Sequence, residues 1–203
     1  MIRSEKDGAI RVLTLSRPDK ANALTRDMLS DLADAVDDAN ADGTTRAIIL
    51  TGEGKVFSAG ADLEAARAGL ATDPVWERLS GTIAHAPCLT IAALNGTAAG
   101  GALGMVLAVD LRVAVPKAAF FYPVMKLGFL PQPSDPSRLA ALVGPARAKL
   151  ILMAGEKIRA EEAKSFGLVD IISDDPLATA KELAEDACGA SADHFAAIKA
   201  LIP

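Results

Sequence analysis

Two short stretches of the chain have residue sizes and spacing suited to chemistry at a carbonyl group. They are Phe57-Ser58-Ala59-Gly60-Ala61-Asp62-Leu63 and Asn95-Gly96-Thr97-Ala98-Ala99-Gly100-Gly101. Each follows an apolar run that reads as a strand, and each places small residues where the strand hands its backbone to a loop. Small side chains there let a ligand approach the main chain closely. Two N–H groups converging on one point would make an oxyanion hole, stabilising negative charge as it develops on a carbonyl oxygen. Gly100-Gly101-Ala102-Leu103-Gly104 is not G-x-G-x-x-G, and no P-loop lysine follows it, which argues against a nucleotide-phosphate cradle. Glycines ahead of a helix also serve tight packing, so neither stretch decides the matter alone. His85 ends one helical stretch and His194 lies in the last one. Neither belongs to a Ser–His–Asp arrangement, and no His/Cys/Asp group has metal-ligand spacing.

The two stretches, taken with others in order, resemble the crotonase superfamily, the enoyl-CoA hydratase/isomerase group. Arg17-Pro18-Asp19-Lys20-Ala21-Asn22-Ala23-Leu24 is similar to that family's first CoA-contacting loop. Residues 46–52 resemble its central strand, and residues 91–96 with Gly100-Gly101 its second oxyanion segment, followed by Asp110-Leu111-Arg112-Val113-Ala114. Residues 155–163 and Gly167-Leu168-Val169-Asp170 resemble its closing helix-then-strand section. The resemblance implies that the N–H groups of Ala61 and Gly101 form the oxyanion hole for an acyl-CoA thioester. It also implies that Ala21, Ala23, Leu24, Ala59, Gly60, Asp62, Leu63 and Gly100 contact CoA or substrate. A helix starting near Gly101 would add partial positive charge there. No cofactor beyond the CoA thioester is implied, and the expected assembly is a homo-oligomer, a trimer or a dimer of trimers.

The side chains depart from the pattern. Hydratases of this group use two glutamates, one as base and one as acid, a division that suits two positioned carboxyl groups. Aligned by eye, those positions fall at Gly104 and Val124, and neither residue can carry a proton. Three polar residues nearby are candidate substitutes. Tyr122 could donate a phenolic proton or pack as a core aromatic. Asp135, in Pro131-Gln132-Pro133-Ser134-Asp135-Pro136, could act as an acid or simply pair with Pro136 as N-cap and N1 of a helix. Gln132 could orient a polar substrate group.

The elements that must position these residues read as an α/β chain. Residues 2–6 and 9–15 flank the turn signal Asp7-Gly8. Thr25 can cap a helix running to about residue 41. Strands are expected at 46–51, 90–94, 111–115, 119–122 and 169–172. Helices are expected at 62–68, 74–85, 102–108, 136–143, 145–154, 160–166 and 177–190. This alternation favours parallel pairing. The family resemblance implies a crotonase-like spiral of β-β-α turns with shortened C-terminal helices: an acyl-CoA-binding core over 1–190 and a short helical tail over 191–203.

Composition is consistent with one core. A chain of 203 residues buries about 70% of the surface its unfolded form exposes. Apolar residues make up 51% but aromatics only 4%, so Ala, Leu, Ile and Val must build the interior. A formal charge of −5 argues against a nucleic-acid footprint. Cys88 and Cys188 suggest two reduced thiols rather than a disulfide framework. No stretch approaches the length of a membrane span, and no signal peptide is evident, so the expected location is cytoplasmic, with no membrane partner. Three readings follow: an acyl-CoA enzyme with a nonstandard acid/base set, a non-catalytic acyl-CoA binder, and a structural partner of a longer crotonase subunit.

Overall fold

Gly8 and Ala9 turn the chain between β1 (Ile2–Asp7) and β2 (Ile10–Leu15), one residue later than the Asp7-Gly8 signal, and the two strands pair as an antiparallel hairpin. The computed structural model describes residues 1–202. Thr25 caps α1 (Arg26–Ala41): its hydroxyl accepts the Met28 N–H at 3.2 Å, and Met28, Leu29, Leu32 and Val36 form the buried face. Strands and helices then alternate through β3 (Ala47–Gly52), β4 (Val56–Ser58), α2 (Leu63–Arg67), α3 (Val75–Ala84), β5 (Leu89–Leu94), β6 (Thr97–Ala99), α4 (Ala102–Ala108), β7 (Leu111–Ala114) and β8 (Ala119–Phe121). The rest is mainly helical: α5 (Val124–Leu127), α6 (Asp135–Val143), α7 (Pro145–Leu152), β9 (Ile158–Arg159), α8 (Ala160–Phe166), β10 (Ile171–Ile172), α9 (Pro176–Leu183), α10 (Glu185–Gly189) and α11 (Ala192–Lys199).

Two sheets result. The larger has strand order β1-β2-β3-β5-β7-β10, and every pair after the hairpin is parallel. The smaller has order β4-β6-β8-β9, with β4, β6 and β8 parallel and β9 antiparallel to β8. Successive strands are dealt alternately to the two sheets: β3 then β4, β5 then β6, β7 then β8. This is the mixed α/β arrangement with β-β-α turns that the sequence leads one to expect.

Alternation along the central strands separates two apolar layers, because successive side chains leave a strand on opposite faces. Ile48, Leu50, Ala92 and Leu94 face the main core with α1, α3 and α4. Ala47, Ile49, Ile91 and Ala93 face a smaller core closed by Ala180 of α9 and by Ala184 at its end. Both faces of the parallel strands are therefore covered, which explains their continuous apolar runs. All seven residues of α4 are buried, and this helix packs against both α3 and α6.

Three further local expectations change. Residues 56–58 and 97–99, read as loop entries, are short strands of the second sheet. The helix expected over 177–190 breaks at Ala184 into α9 and α10. Ser134, not Asp135, precedes the first helical residue of α6, and Asp135 lies inside the helix with its side chain buried. The tail helix α11 is tied back by Lys199, whose Nζ donates to the Cys88 carbonyl at 2.9 Å and to Asp110 Oδ2 at 2.7 Å.

Candidate functional site

The C-terminal ends of β4, β6 and β8 open onto one cavity of about 160 Å³, and this is where the two small-residue stretches meet. Ala59 and Ala61 line it from the first stretch, Gly100 and Gly101 from the second, and Tyr122 and Val124 from the segment after β8. Parallel strands put their C-terminal ends at one edge, the usual place for a ligand in such sheets. The backbones abut: a Cβ on Gly60, which sits at φ +92°, would lie 2.7 Å from the Ala99 carbonyl oxygen. Only glycine allows that approach.

Hydrogen bonds fix the first stretch from behind. Leu24 and Ala61 form a parallel bridge, with Leu24 N–H donating to Gly60 O and Asp62 N–H to Leu24 O, both at 2.8 Å. The Ala59 N–H donates to Ala21 O at 3.0 Å. The Ser58 hydroxyl donates to the Asn22 carbonyl at 2.8 Å and accepts the Gly60 N–H at 3.2 Å. Thus the loop holding Ala21, Ala23 and Leu24 is joined to the Ala61 segment. The N–H groups of Ala61 and Gly101 donate to no group among the described residues. Two unused donors beside an apolar cavity are available to a ligand oxygen.

Asp62 does local work. One carboxylate oxygen accepts the Glu64 and Ala65 N–H groups at the start of α2, and the other takes Arg17 Nη1 at 2.8 Å. The Arg17 bond, followed by the backbone bonds, holds this carboxyl below the usual range. Leu63 stands at the cavity mouth with its side chain largely exposed.

The segment after β8 and the loop before α6 carry the polar groups. Tyr122, only 5% exposed, donates from its hydroxyl to Asp135 Oδ2 at 2.9 Å. Asp135 is 1% exposed, and its Oδ1 has no hydrogen-bond partner among the described residues. Burial pushes this carboxyl up to about 6, against the lowering effect of the Tyr122 bond; the Glu77 charge raises it further and Arg138 opposes. Burial also raises the Tyr122 phenol, with the Asp135 charge adding to it. Tyr122 lines the cavity, while Asp135 sits behind it. Gln132 lines the cavity too, but its Nε2 donates to the Ala71 carbonyl at 3.0 Å. His85 closes α3, with Nδ1 2.7 Å from Gly81 O, and His194 is exposed on α11.

The enoyl-CoA hydratase/isomerase family profile matches residues 5–202 of this chain. EchA14 of Mycobacterium tuberculosis, named a probable enoyl-CoA hydratase, is 38% identical over 200 residues, covering 96% of this chain and 78% of that protein. The short-chain-enoyl-CoA hydratase of Clostridium acetobutylicum is 35% identical over 192 residues, covering 89% and 72%. The structure of Pseudomonas aeruginosa DspI superposes with a TM-score of 0.91 at 33% identity, over 99% of this chain and 85% of that one. The chain belongs to the enoyl-CoA hydratase/isomerase family.

Within this family member, the positions at Gly104 and Val124 have different surroundings. Val124 is buried and lines the cavity at the start of α5. Gly104 faces Asp135: a Cβ there would lie 3.0 Å from Oδ1 and 3.3 Å from Oδ2. The carboxyl group delivered by α6 therefore occupies the space beside residue 104. Two contributors escape a reading of the sequence alone. Trp76 backs the Gly101 segment, since a Cβ on Gly101 would meet its indole at 3.0 Å. Glu77 accepts from Ser134, the residue before Asp135. Trp76 is the only tryptophan of the chain, and its place on the apolar face of α3 was the available signal. Glu77 gave none.

Proposed function

We propose that the protein is an acyl-CoA thioester enzyme that moves a proton at the carbon next to the thioester carbonyl, using Tyr122 and Asp135. In this reading the Ala61 and Gly101 N–H groups hold the thioester oxygen and stabilise the enolate that forms there. Tyr122 oxygen faces the acyl group; as it takes the α-proton, its own hydroxyl proton passes to Asp135. The reverse transfer returns a proton to the substrate. The observation that carries the proposal is the 2.9 Å Tyr122–Asp135 hydrogen bond on the wall of the cavity that Ala61 and Gly101 also line. An acceptor raised to about 6 is ionised at neutral pH yet basic enough to receive a proton, which suits a general base. Gly104 and Val124 supply no second carboxyl group. One proton relay suits proton exchange or double-bond migration better than hydration, which must also activate a water molecule. The cavity is smaller than the roughly 300–1,000 Å³ of sites that enclose drug-sized ligands, so it fits the acyl end of a CoA thioester and not the whole molecule.

A second reading, an acyl-CoA binder without turnover, is favoured by one observation: the Asp135 carboxyl lies behind Tyr122 and not on the cavity surface. Calorimetric titration with butyryl-CoA, followed by NMR of α-proton exchange in D₂O, separates the two. Binding with exchange that falls about 10²–10⁴-fold in Tyr122→Phe and Asp135→Asn supports the enzyme. Binding without exchange supports the binder, and no heat at all rejects both.

A further inference from the structure

The loop that brings Asp135 to Tyr122 is held from one side. Its Gln132 Nε2 donates to the Ala71 carbonyl at 3.0 Å, and its Ser134 donates twice to Glu77 of α3: N–H to Oε1 at 3.1 Å and Oγ to Oε2 at 2.5 Å. Charge-assisted bonds of this kind are shorter and stronger than neutral ones and fix direction as well as distance. Ser134 is the last residue before α6, and Asp135 is the first residue inside it. Whatever fixes Ser134 therefore fixes the start of the helix and the position of the next side chain. The neighbouring residue on α3 is Trp76, which backs Gly101. One turn of α3 thus braces both the backbone segment and the loop that delivers the buried carboxyl.

We propose that Glu77 is a positioning residue: by accepting both donors of Ser134, it sets where the Asp135 carboxyl lies against Tyr122. The inference rests on the reading of Asp135 as the proton acceptor and extends it to a residue outside the cavity. Glu77 also acts through its charge. The charged and titratable groups facing Asp135 are Tyr122 after β8, Glu77 from α3 and Arg138 on α6 itself; α4 presents none. Glu77 is the negative one among these neighbours, and it opposes ionisation of Asp135, whereas Arg138 favours it. A purely structural clamp would have no such effect on a proton.

Glu77→Gln separates the two roles, because the carboxamide oxygen still accepts one Ser134 donor while the charge is gone. The Asp135 carboxyl is followed by ¹³C NMR titration of the free protein. α-Proton exchange of butyryl-CoA is measured across the same pH range. In Glu77→Gln the Asp135 titration and the acidic limb of the exchange profile should both move down by roughly 0.5–1 pH unit, since a like charge has been removed. Ser134→Ala keeps the charge and removes one of its anchors; it should lower kcat severalfold with KM little changed. An Asp135 titration that does not move in Glu77→Gln, with kcat and KM unchanged in Ser134→Ala, overturns the proposal. The titration arm of the test does not depend on the proposed chemistry. If Asp135→Asn exchanges as fast as the wild type, the proton-acceptor role fails, while the titration in Glu77→Gln still reports whether Glu77 acts on Asp135.

Discussion

The two walls of the cavity are built differently. The wall of Ala59–Ala61 and Ala99–Gly101 is main chain, held by a parallel bridge, a buried serine hydroxyl and the close approach of Gly60 to the Ala99 carbonyl oxygen. The wall of Tyr122 and Gln132, with Asp135 behind it, is side chain, assembled from a strand end, a loop and the first turn of a helix. A backbone wall needs only small residues in the right order, so many sequences can encode it. A side-chain wall depends on which residue faces which: Asp135 is bonded by Tyr122, 13 residues away, and its helix start is held by Glu77, 57 residues from Ser134. In the proposed function the first wall takes the thioester oxygen, and the second decides which reaction follows.

The largest expected effect tests the backbone wall. Gly101→Pro removes one unused N–H at a position whose φ of −59° proline accepts. Loss of one such donor costs roughly 2.7–4 kcal/mol of transition-state stabilisation, or about 10²–10³ in kcat. Proline also adds a Cβ that would meet Trp76 at 3.0 Å, so Gly101→Ala is the control: it brings the same Cβ but keeps the N–H. The exchange rate should fall far more in the proline variant. Equal losses in the two would assign the effect to Trp76 and remove Gly101 from the oxyanion pair.

Next in size is a trade between stability and proton transfer in the side-chain wall. Asp135 is raised from its ordinary 3.8 to about 6 when folded, chiefly by burial. Between those values the folded protein binds more protons than the unfolded chain, so stability falls as pH rises through that window. Above about pH 6 the full cost applies, on the order of 3 kcal/mol. Asn keeps the shape and an acceptor for Tyr122 but cannot ionise. Urea denaturation should therefore find Asp135→Asn more stable than the wild type at pH 7–8, with the gap closing towards pH 4. A gap independent of pH would mean that the cost of Asp135 is not its charge. Stability gained where activity is lost is the expected mark of a functional group.

The contrast between the walls also explains what the sequence made legible. The first hairpin, the Thr25 cap, the apolar parallel strands and the order of the two small-residue stretches are local signals, and the structure keeps each, with the hairpin turn one residue later than expected. Strands β4 and β6 were missed as strands because three residues are too few to show a period of two. Asp135 was noted, but its placement beside Pro136 pointed equally to a helix start. The deciding fact, its contact with Tyr122 and the space beside Gly104, exists only after α6 packs on α4. Glu77 was invisible for the same reason: on one helix it reads as an ordinary half-exposed carboxylate, and its partner lies 57 residues away.

The smallest predicted effect is the one that tests how tightly the side-chain wall is fitted. Gly104→Ala brings two opposing terms of similar size. Replacing glycine inside a helix by alanine is worth about 0.8–1.0 kcal/mol in its favour. Against this, the new Cβ would lie 3.0 Å from Asp135 Oδ1 and 3.3 Å from Oδ2, closer than ordinary van der Waals contact. Asp135 cannot swing away freely, because Tyr122 holds its other oxygen and the first turn of α6 fixes its backbone. Overpacking a fitted core costs typically about 1–3 kcal/mol, so the net change in the wild-type background should be near zero or destabilising by about 1–2 kcal/mol. In an Asp135→Ala background the obstacle is gone, and the helix preference should emerge as a gain of about 0.5–1 kcal/mol. The measurement is a double-mutant cycle by urea denaturation at pH 7, where a coupling of about 1 kcal/mol or more is expected. Additivity within about 0.3 kcal/mol would mean that the space beside residue 104 is not filled by Asp135, and the side-chain wall would lose its central contact.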